Sequence, residues 1–327
     1  MRLFRIFLLL VLIAAGFAAF AILTPYGPSR ETFVEIAPHT SSLVVAARLQ
    51  RAGIVRSRYA FDLLRLKNGG TLKAGEYRFD HPATPQQVYQ RIAQGDVYTI
   101  ALSIPEGYNI FDIAQAVEAA KLGNHVDFLA AERANTALIA QWSPHAESLE
   151  GYLFPDTYRF SRHATTPQIL AAMVKRFHMA LPQLGIDDTS STAISRLVTM
   201  ASLVEKEVHV DAERPAVAGV FENRLRIDMP LATDPTVVYA ALLNGSWRGT
   251  IYATDLQSLS PYNTYKHAGL PPGPICSPGM AALRAALKPT QSNYLYFVSD
   301  AQGHTRFSAT LQEHNKKVQE YRKAALR

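Results

Sequence analysis

Hydrophobic and polar positions alternate along this chain with three different periods, and each period marks a different kind of element. From Ile6 to Leu23 no polar side chain interrupts about 18 residues, roughly 27 Å of helix and enough to cross a bilayer. From Phe33 the period changes to strand-like alternation. A Pro-containing turn follows, and then helical spacing at Leu43, Ala46, Ala47 and Leu49. The same strand, turn and helix return 68 residues later between Leu102 and Val117, with Ile36 matching Ile104, Leu43 matching Phe111 and Ala46 matching Ala114. This spacing predicts a duplicated β-turn-α unit. Between the copies lie Gly69-Gly70, a strand-like run from Ala74 to Phe79 and a helix from Thr84 to Ala93 opened by Thr-Pro. Further on, apolar residues at helical spacing predict a helix over Ser190 to Val210, a strand over Asn293 to Val298, a turn at Gly303 and a polar helix from Thr310 to Ala325. The predicted fold is α+β: an N-terminal transmembrane helix (residues 1–24), a small β-α module (30–100) and a larger α+β domain (101–327).

Charge orients this arrangement. Arg2 and Arg5 precede the apolar run, while Arg30 beyond it is balanced by Glu31, so the positive-inside rule keeps the N-terminus in the cytoplasm and sends the rest across. A cleaved signal peptide ending at Ala19-Phe20-Ala21 is the competing reading, and it too exports the working domains. The formal charge of +6, less the two anchor arginines, leaves +4 outside. That suits an anionic partner such as a cell wall or lipid surface, or an ordinary basic surface, and gives no argument for nucleic acid.

Several chemistries are excluded. The single Cys276 rules out an internal disulfide framework, a cysteine-rich zinc site and a thioredoxin-like centre. No G-x-S-x-G, P-loop or H-E-x-x-H sequence occurs. Glu205 and His209 stand at i and i+4 without a third ligand, so His209 is expected as a surface or packing residue and neither metal nor cofactor is expected. Cys276 is expected as a small buried hydrophobe.

One carboxylate stands out. On the helix predicted over Ser190 to Val210, Glu205 falls within about 20° of Ile194 and Val198 and about 40° of Ala201, so it points with the apolar stripe. Glu207 lies about 200° away, beside Arg196 and Thr199, and is expected to be solvated. A carboxylate directed at an apolar cleft has its proton held by desolvation, as a general acid requires. The bland alternative is a buried carboxylate paired with Arg214 or Arg224. Glu213 and Arg214 are expected to pair with each other near the helix end.

Seven ordered blocks carry a family resemblance: Leu149-Glu150-Gly-Tyr152-Leu-Phe-Pro155-Asp156-Thr-Tyr158; Met200-Ala-Ser202-Leu-Val-Glu205-Lys-Glu207; Glu213-Arg214; Val220-Phe-Glu-Asn223-Arg224-Leu-Arg226; Thr233-Asp234-Pro-Thr236-Val-Val-Tyr239; Ser260-Pro-Tyr262-Asn263-Thr-Tyr265; and Gly269-Leu-Pro-Pro-Gly-Pro-Ile. Together they resemble the YceG-like family of endolytic murein transglycosylases, over nearly the whole chain. The chain departs from the family pattern at Phe221-Glu222-Asn223 and at Cys276, neither of which touches Glu205.

The resemblance implies a single-pass inner-membrane protein whose periplasmic part joins a LysM-like module to a catalytic domain. It implies cleavage of nascent glycan strands at the MurNAc-GlcNAc bond with 1,6-anhydroMurNAc formation, terminating elongation, with peptidoglycan strands, the cytoplasmic membrane and peptidoglycan synthases as partners. The catalytic glutamate of the family lands on Glu205. Glu150, Tyr152, Asn223, Asp234, Thr236, Tyr262 and Asn263 are the expected substrate-binding residues, with Arg214 as a support for the site. Two other functions stay open: a hydrolytic muramidase in which Glu150 or Asp234 activates water, and a membrane-tethered glycan-binding scaffold without chemistry.

Overall fold

The computed structural model describes residues 2–186, 191–208, 210–300 and 302–325. Ser190 and His209, both part of the sequence reading, lie outside the described residues. The chain is mixed α+β, mostly helical, and divides into two compact units, Met1–Thr99 and Ile100–Arg327. Among the described residues the strands form three two-stranded antiparallel sheets.

The first unit opens with α1 (Arg2–Leu23), whose segment Phe4–Leu23 is apolar and long enough to cross a membrane, a property that signal sequences share. Then come β1 (Thr32–Ile36), α2 (Ser42–Arg51), α3 (Arg58–Asn68), β2 (Gly75–Phe79) and α4 (Pro85–Gln94). β1 pairs with β2 from Thr32 opposite Phe79 to Ile36 opposite Gly75. The helices cover this ribbon with a core of Val34, Ile36, Leu49, Phe61, Tyr77 and Ile92. Thr84 starts α4 with a reciprocal cap to Gln87, and left-handed Gly95 ends it, as the Thr-Pro signal predicts.

The second unit begins with the same arrangement. Its first elements are β3 (Ile100–Ser103), α5 (Ile110–Ala119), α6 (His125–Ala134) and β4 (Thr157–Phe160), with β3 antiparallel to β4. At the 68-residue offset α2 and α5 coincide end for end, Ser41 and Asn109 occupy the N-cap position, and the residues after the helices, Ala52 and Ala120, have φ, ψ of −76°, −1° and −75°, −3°. His39 and Gly107 are both left-handed in the turn, at φ 60° and 79°. Ile36 and Ile104 are both buried, as are Ala46 and Ala114. Leu43 and Phe111 differ: Leu43 is exposed, whereas Phe111 packs into the second unit with its ring 6.4 Å from Tyr239.

The rest of the second unit is helical. α7 (Thr166–Ala180), α8 (Ser191–Glu207), α9 (Arg214–Arg226), α10 (Asp234–Leu243), the short α11 (Ala253–Leu256) and α12 (Met280–Leu287) precede the hairpin β5 (Tyr296–Ser299) and β6 (Thr305–Ser308) and the final α13 (Leu311–Ala325). α8 is the axis of the unit, packed by α9, α10 and α12. One side of it joins a core with Phe128, Trp142, Tyr152 and Phe177, and the other a core with Val217, Phe221 and Tyr239. A helix enclosed in this way leaves few of its polar residues to solvent.

Candidate functional site

Glu205 sits in the last turn of α8, on the stripe of Ile194, Val198 and Ala201, and is 7% exposed. Both of its oxygens are engaged. Oε2 accepts the backbone N–H of Gly279 at 2.9 Å, and Oε1 lies 2.8 Å from Nη1 of Arg214. The arginine contact is an ion pair without hydrogen-bond alignment, since Nη1 has no hydrogen-bond partner. Arg214 opens α9, and its Nε donates to Asp211 at 3.0 Å. The expected Glu213–Arg214 pair is therefore corrected. Glu213 turns instead to the backbone N–H of Thr305 and to His304, and Arg214 pairs across the helix junction with Glu205, the buried ion pair that was the alternative expectation for this glutamate.

The segment that delivers Gly279 is tied to α8. Ser202, one turn before Glu205, accepts the Ile275 N–H at 3.1 Å, and its carbonyl receives the Cys276 thiol at 3.3 Å. Cys276 is buried, which pushes its thiol pKa up and leaves it a packing residue, as expected. The same segment clasps the turn after β3: Gly107 N–H donates to Ser277 O at 2.9 Å, and Ser277 N–H donates to Tyr108 O at 2.8 Å. Lys206 Nζ donates to Gly107 O at 3.3 Å.

This clasp brings in a carboxylate that the sequence reading passed over. Glu106 precedes left-handed Gly107, and its carboxylate accepts the backbone N–H of Met280 and packs on Gly279, where a Cβ would collide with it. Glu106 and Glu205 thus meet at Gly279 at the start of α12. Partial desolvation, and then the charge of Glu205, push the Glu106 pKa up, against the pull of Arg214. Glu106 is solvent-exposed where Glu205 is nearly enclosed. The signal for it lay in the repeat: the turn of the first copy has Pro38 at the position where the second has Glu106.

The other expected residues have internal roles in this structure. Glu150 is 3% exposed; its Oε2 accepts Ile110 N–H at 2.9 Å at the start of α5, its Oε1 accepts Gly151 N–H at 3.1 Å, and Tyr239 also bonds to it. Burial pushes its pKa up to about 8 in spite of these donors. Gly151 is left-handed, and a Cβ there would strike Pro274 and Val198. Tyr152 stacks on Trp142 in the core. Asn223 donates to the carbonyls of Ser292 and Tyr294. Thr236 bonds to Thr233 O and Thr264 Oγ1, and Asn263 fastens its turn through Leu256 O and Ser258 O. Asp234 is exposed and accepts the Tyr265 hydroxyl, while Tyr262 is half-buried with its ring 5.0 Å from Tyr239. Of the substrate-binding residues expected from sequence, Glu150, Tyr152, Asn223, Thr236 and Asn263 are buried, while Asp234 and Tyr262 keep some exposure. Glu150, Asn223, Thr236 and Asn263 bond to backbone groups that packing has removed from water, whereas Tyr152 is held by ring packing.

Glu207 is also corrected. It accepts the Thr233 hydroxyl, and burial raises its pKa, because α10 packs over the side of α8 that the wheel left to solvent. Glu222 turns outward to Arg196 at 2.7 Å. Among the described residues no group of three His, Cys, Asp or Glu side chains could hold a metal.

A pair of carboxylates with one guanidinium, on the helical core of the second unit, is the kind of arrangement that acid and base chemistry uses. The particular family follows from comparison: the YceG-like family matches residues 34–320, and the chain belongs to it. An endolytic murein transglycosylase of Bacillus subtilis is 34% identical over 320 residues, covering 92% of this chain and 88% of that protein. The enzyme of the same name from Streptococcus pneumoniae strain D39 is 30% identical over 308 residues, and there the chain spans 56% of the relative's length. A crystal structure of a YceG-like protein from Listeria monocytogenes superposes with a TM-score of 0.57 at 33% identity, covering 88% of this chain and 99% of that one.

Proposed function

We propose that this chain is an endolytic peptidoglycan lytic transglycosylase, anchored in the cytoplasmic membrane by α1 with both units on the outer side. In this reading residues 30–100 form a LysM-like glycan-binding module and residues 101–327 the catalytic domain. The observation that carries the reading is the meeting of Glu205 and Glu106 at Gly279, with Arg214 paired to Glu205, the residue on which the family's catalytic glutamate lands.

Glu205 is the acid and then the base. In the reactive form the proton of the first step sits on Glu205, beside the Glu106 carboxylate that meets it at Gly279. Glu205 passes that proton to the glycosidic oxygen as the C1–O4 bond of MurNAc-GlcNAc breaks and positive charge develops at C1 of MurNAc. The 6-hydroxyl of the same MurNAc then attacks C1, its proton returns to Glu205, and the 1,6-anhydro end forms with no water consumed. Between the steps the pair carries two negative charges, which Arg214 offsets. The intramolecular nucleophile supplies a large effective molarity. Cleavage of nascent strands in this way terminates their elongation.

The hydrolytic reading retains one specific support. Glu150 is enclosed and Asp234 is engaged by Tyr265, but Glu106 is an exposed carboxylate beside Glu205 that could activate water. Mass spectrometry of uncrosslinked glycan strands treated with the full-length protein separates the two. Anhydro-muramyl ends are expected from the wild type and none from a folded Glu205→Gln protein. Reducing ends would establish a hydrolase, and no cleavage with retained glycan binding would make the chain a scaffold.

A further inference from the structure

α3 carries two apolar faces, and the fold uses one. Ala60, Phe61 and Leu64 are buried, with α2 and α4 packed against the helix. Tyr59, Leu63 and Leu66 are 69%, 55% and 71% exposed, and at 100° per residue they fall within about 60° of one another on the opposite side. An isolated exposed leucine is ordinary, whereas three large apolar residues on one stripe of an 11-residue helix form a face. Cations flank that stripe, Lys67 on one edge and Arg58 and Arg65 on the other, against the single carboxylate Asp62. Arg58 lies over the Tyr59 ring and donates to its hydroxyl at 2.7 Å.

The position of the helix is as informative as its composition. Arg56, just before the N-cap Ser57, lies 4.7 Å over the ring of Phe20 and 4.6 Å over that of Tyr26. Phe20 is three residues from the end of the apolar helix, about 5 Å along its axis, and α1 itself packs against α3 and α4. The first turn of α3 is therefore at the level where α1 leaves its apolar layer.

We infer that α3 is an interfacial helix, with Tyr59, Leu63 and Leu66 seated at the acyl-chain boundary and Arg58, Arg65 and Lys67 on the headgroups of anionic phospholipid. The inference rests on α1 spanning the bilayer. An apolar stripe bordered by cations, with a tyrosine at one end, is the composition that binds this layer, and the long arginine and lysine stems allow the charges to rise to the headgroups while the leucines insert. Anionic lipid is favoured over a protein partner because the cations match its charge and the contact with Phe20 continues the surface of the membrane helix onto α3. The module is then held against the lipid by its own helix as well as by the residues that join α1 to β1.

The test uses full-length protein in nanodiscs of mixed zwitterionic and anionic phospholipid, with an environment-sensitive fluorophore on Leu66→Cys in one sample and on Leu12→Cys in another; the native Cys276 is buried. Both labels are expected to emit to the blue of their position in water, with Leu66→Cys quenched by shallow nitroxide lipids and Leu12→Cys by deep ones. Adding Leu63→Glu should return the Leu66 label to water-like emission without changing the Leu12 signal. A quenched Leu12 label beside a water-like Leu66 label would overturn the inference and leave the anchor standing. An unquenched Leu12 label would remove the anchor itself, and with it the inference. A blue-shifted Leu66 label insensitive to nitroxide lipid would assign the face to a protein and also overturn it.

Discussion

Glu150→Gln measures what an enclosed carboxylate costs this fold. In the native state burial places the group at about 8, against an ordinary value of 4.5. A raised acid contributes stability that is fully present below 4.5 and is lost as the pH rises towards 8, because the unfolded chain releases the proton first. At 1.36 kcal/mol per unit, the loss across the whole window is about 5 kcal/mol, and about 3 kcal/mol of it has gone by pH 7. Glutamine cannot ionise in either state, so the substitution removes this slope while leaving the contributions of Glu106, Glu132 and Glu207, which burial also raises. The assay is urea unfolding between pH 4.5 and 8, followed by tryptophan fluorescence. Both tryptophans, Trp142 and Trp247, belong to the second unit, as does Glu150. Wild type and variant are expected to converge at low pH and separate as pH rises, the variant becoming relatively more stable. Parallel curves would refute the reasoning and show that the three donors around Glu150 offset its burial in full.

The proposed catalytic pair is open to two perturbations. Glu106→Gln is expected to lower the turnover of glycan strands by about 100-fold while the fold is retained, the range of a lost acid–base group. Gly279→Ala should have the same effect by displacing Glu106, since its φ of −80° suits alanine but the new Cβ strikes the carboxylate; unchanged turnover in both would remove Glu106 from the mechanism. Arg214→Ala leaves Glu205 enclosed without a counter-ion and should destabilise the second unit by about 3–5 kcal/mol in chemical denaturation, with Arg214→Lys restoring part of it. Equal stability and activity in Arg214→Ala would show that the arginine supports neither.

The duplicated unit was legible because its information is local. Side-chain period, a turn and a capping residue specify β1 to α2 and β3 to α5, and so the 68-residue repeat read from Ile36, Ala46 and their partners reappears in the helix ends and turn dihedrals. α3 escaped that reading because its outward face is apolar as well, so the polar contrast that marks a helix surface is missing at Tyr59, Leu63 and Leu66. Glu205 was legible for the same local reason, as a charge on the apolar stripe of one helix. Glu207 was not, because a helical wheel assumes one buried side and α8 is packed by α9, α10 and α12.

What the sequence by itself determined, then, is the membrane-length helix, the α+β class, the duplicated turn and the glutamate on the wrong face, each set by the spacing of residues within one element. Tertiary structure alone decided which charges meet. Arg214 reaches Glu205 rather than Glu213 because α9 starts against the end of α8, and Glu106, far from both in sequence, joins them because the 275–279 segment clasps its turn and brings Gly279 against both glutamates. Burial made the remaining choice. Polar residues that looked suited to a sugar, Glu150 and Asn263 among them, were drawn inward to satisfy backbone groups that the packed helices had removed from water.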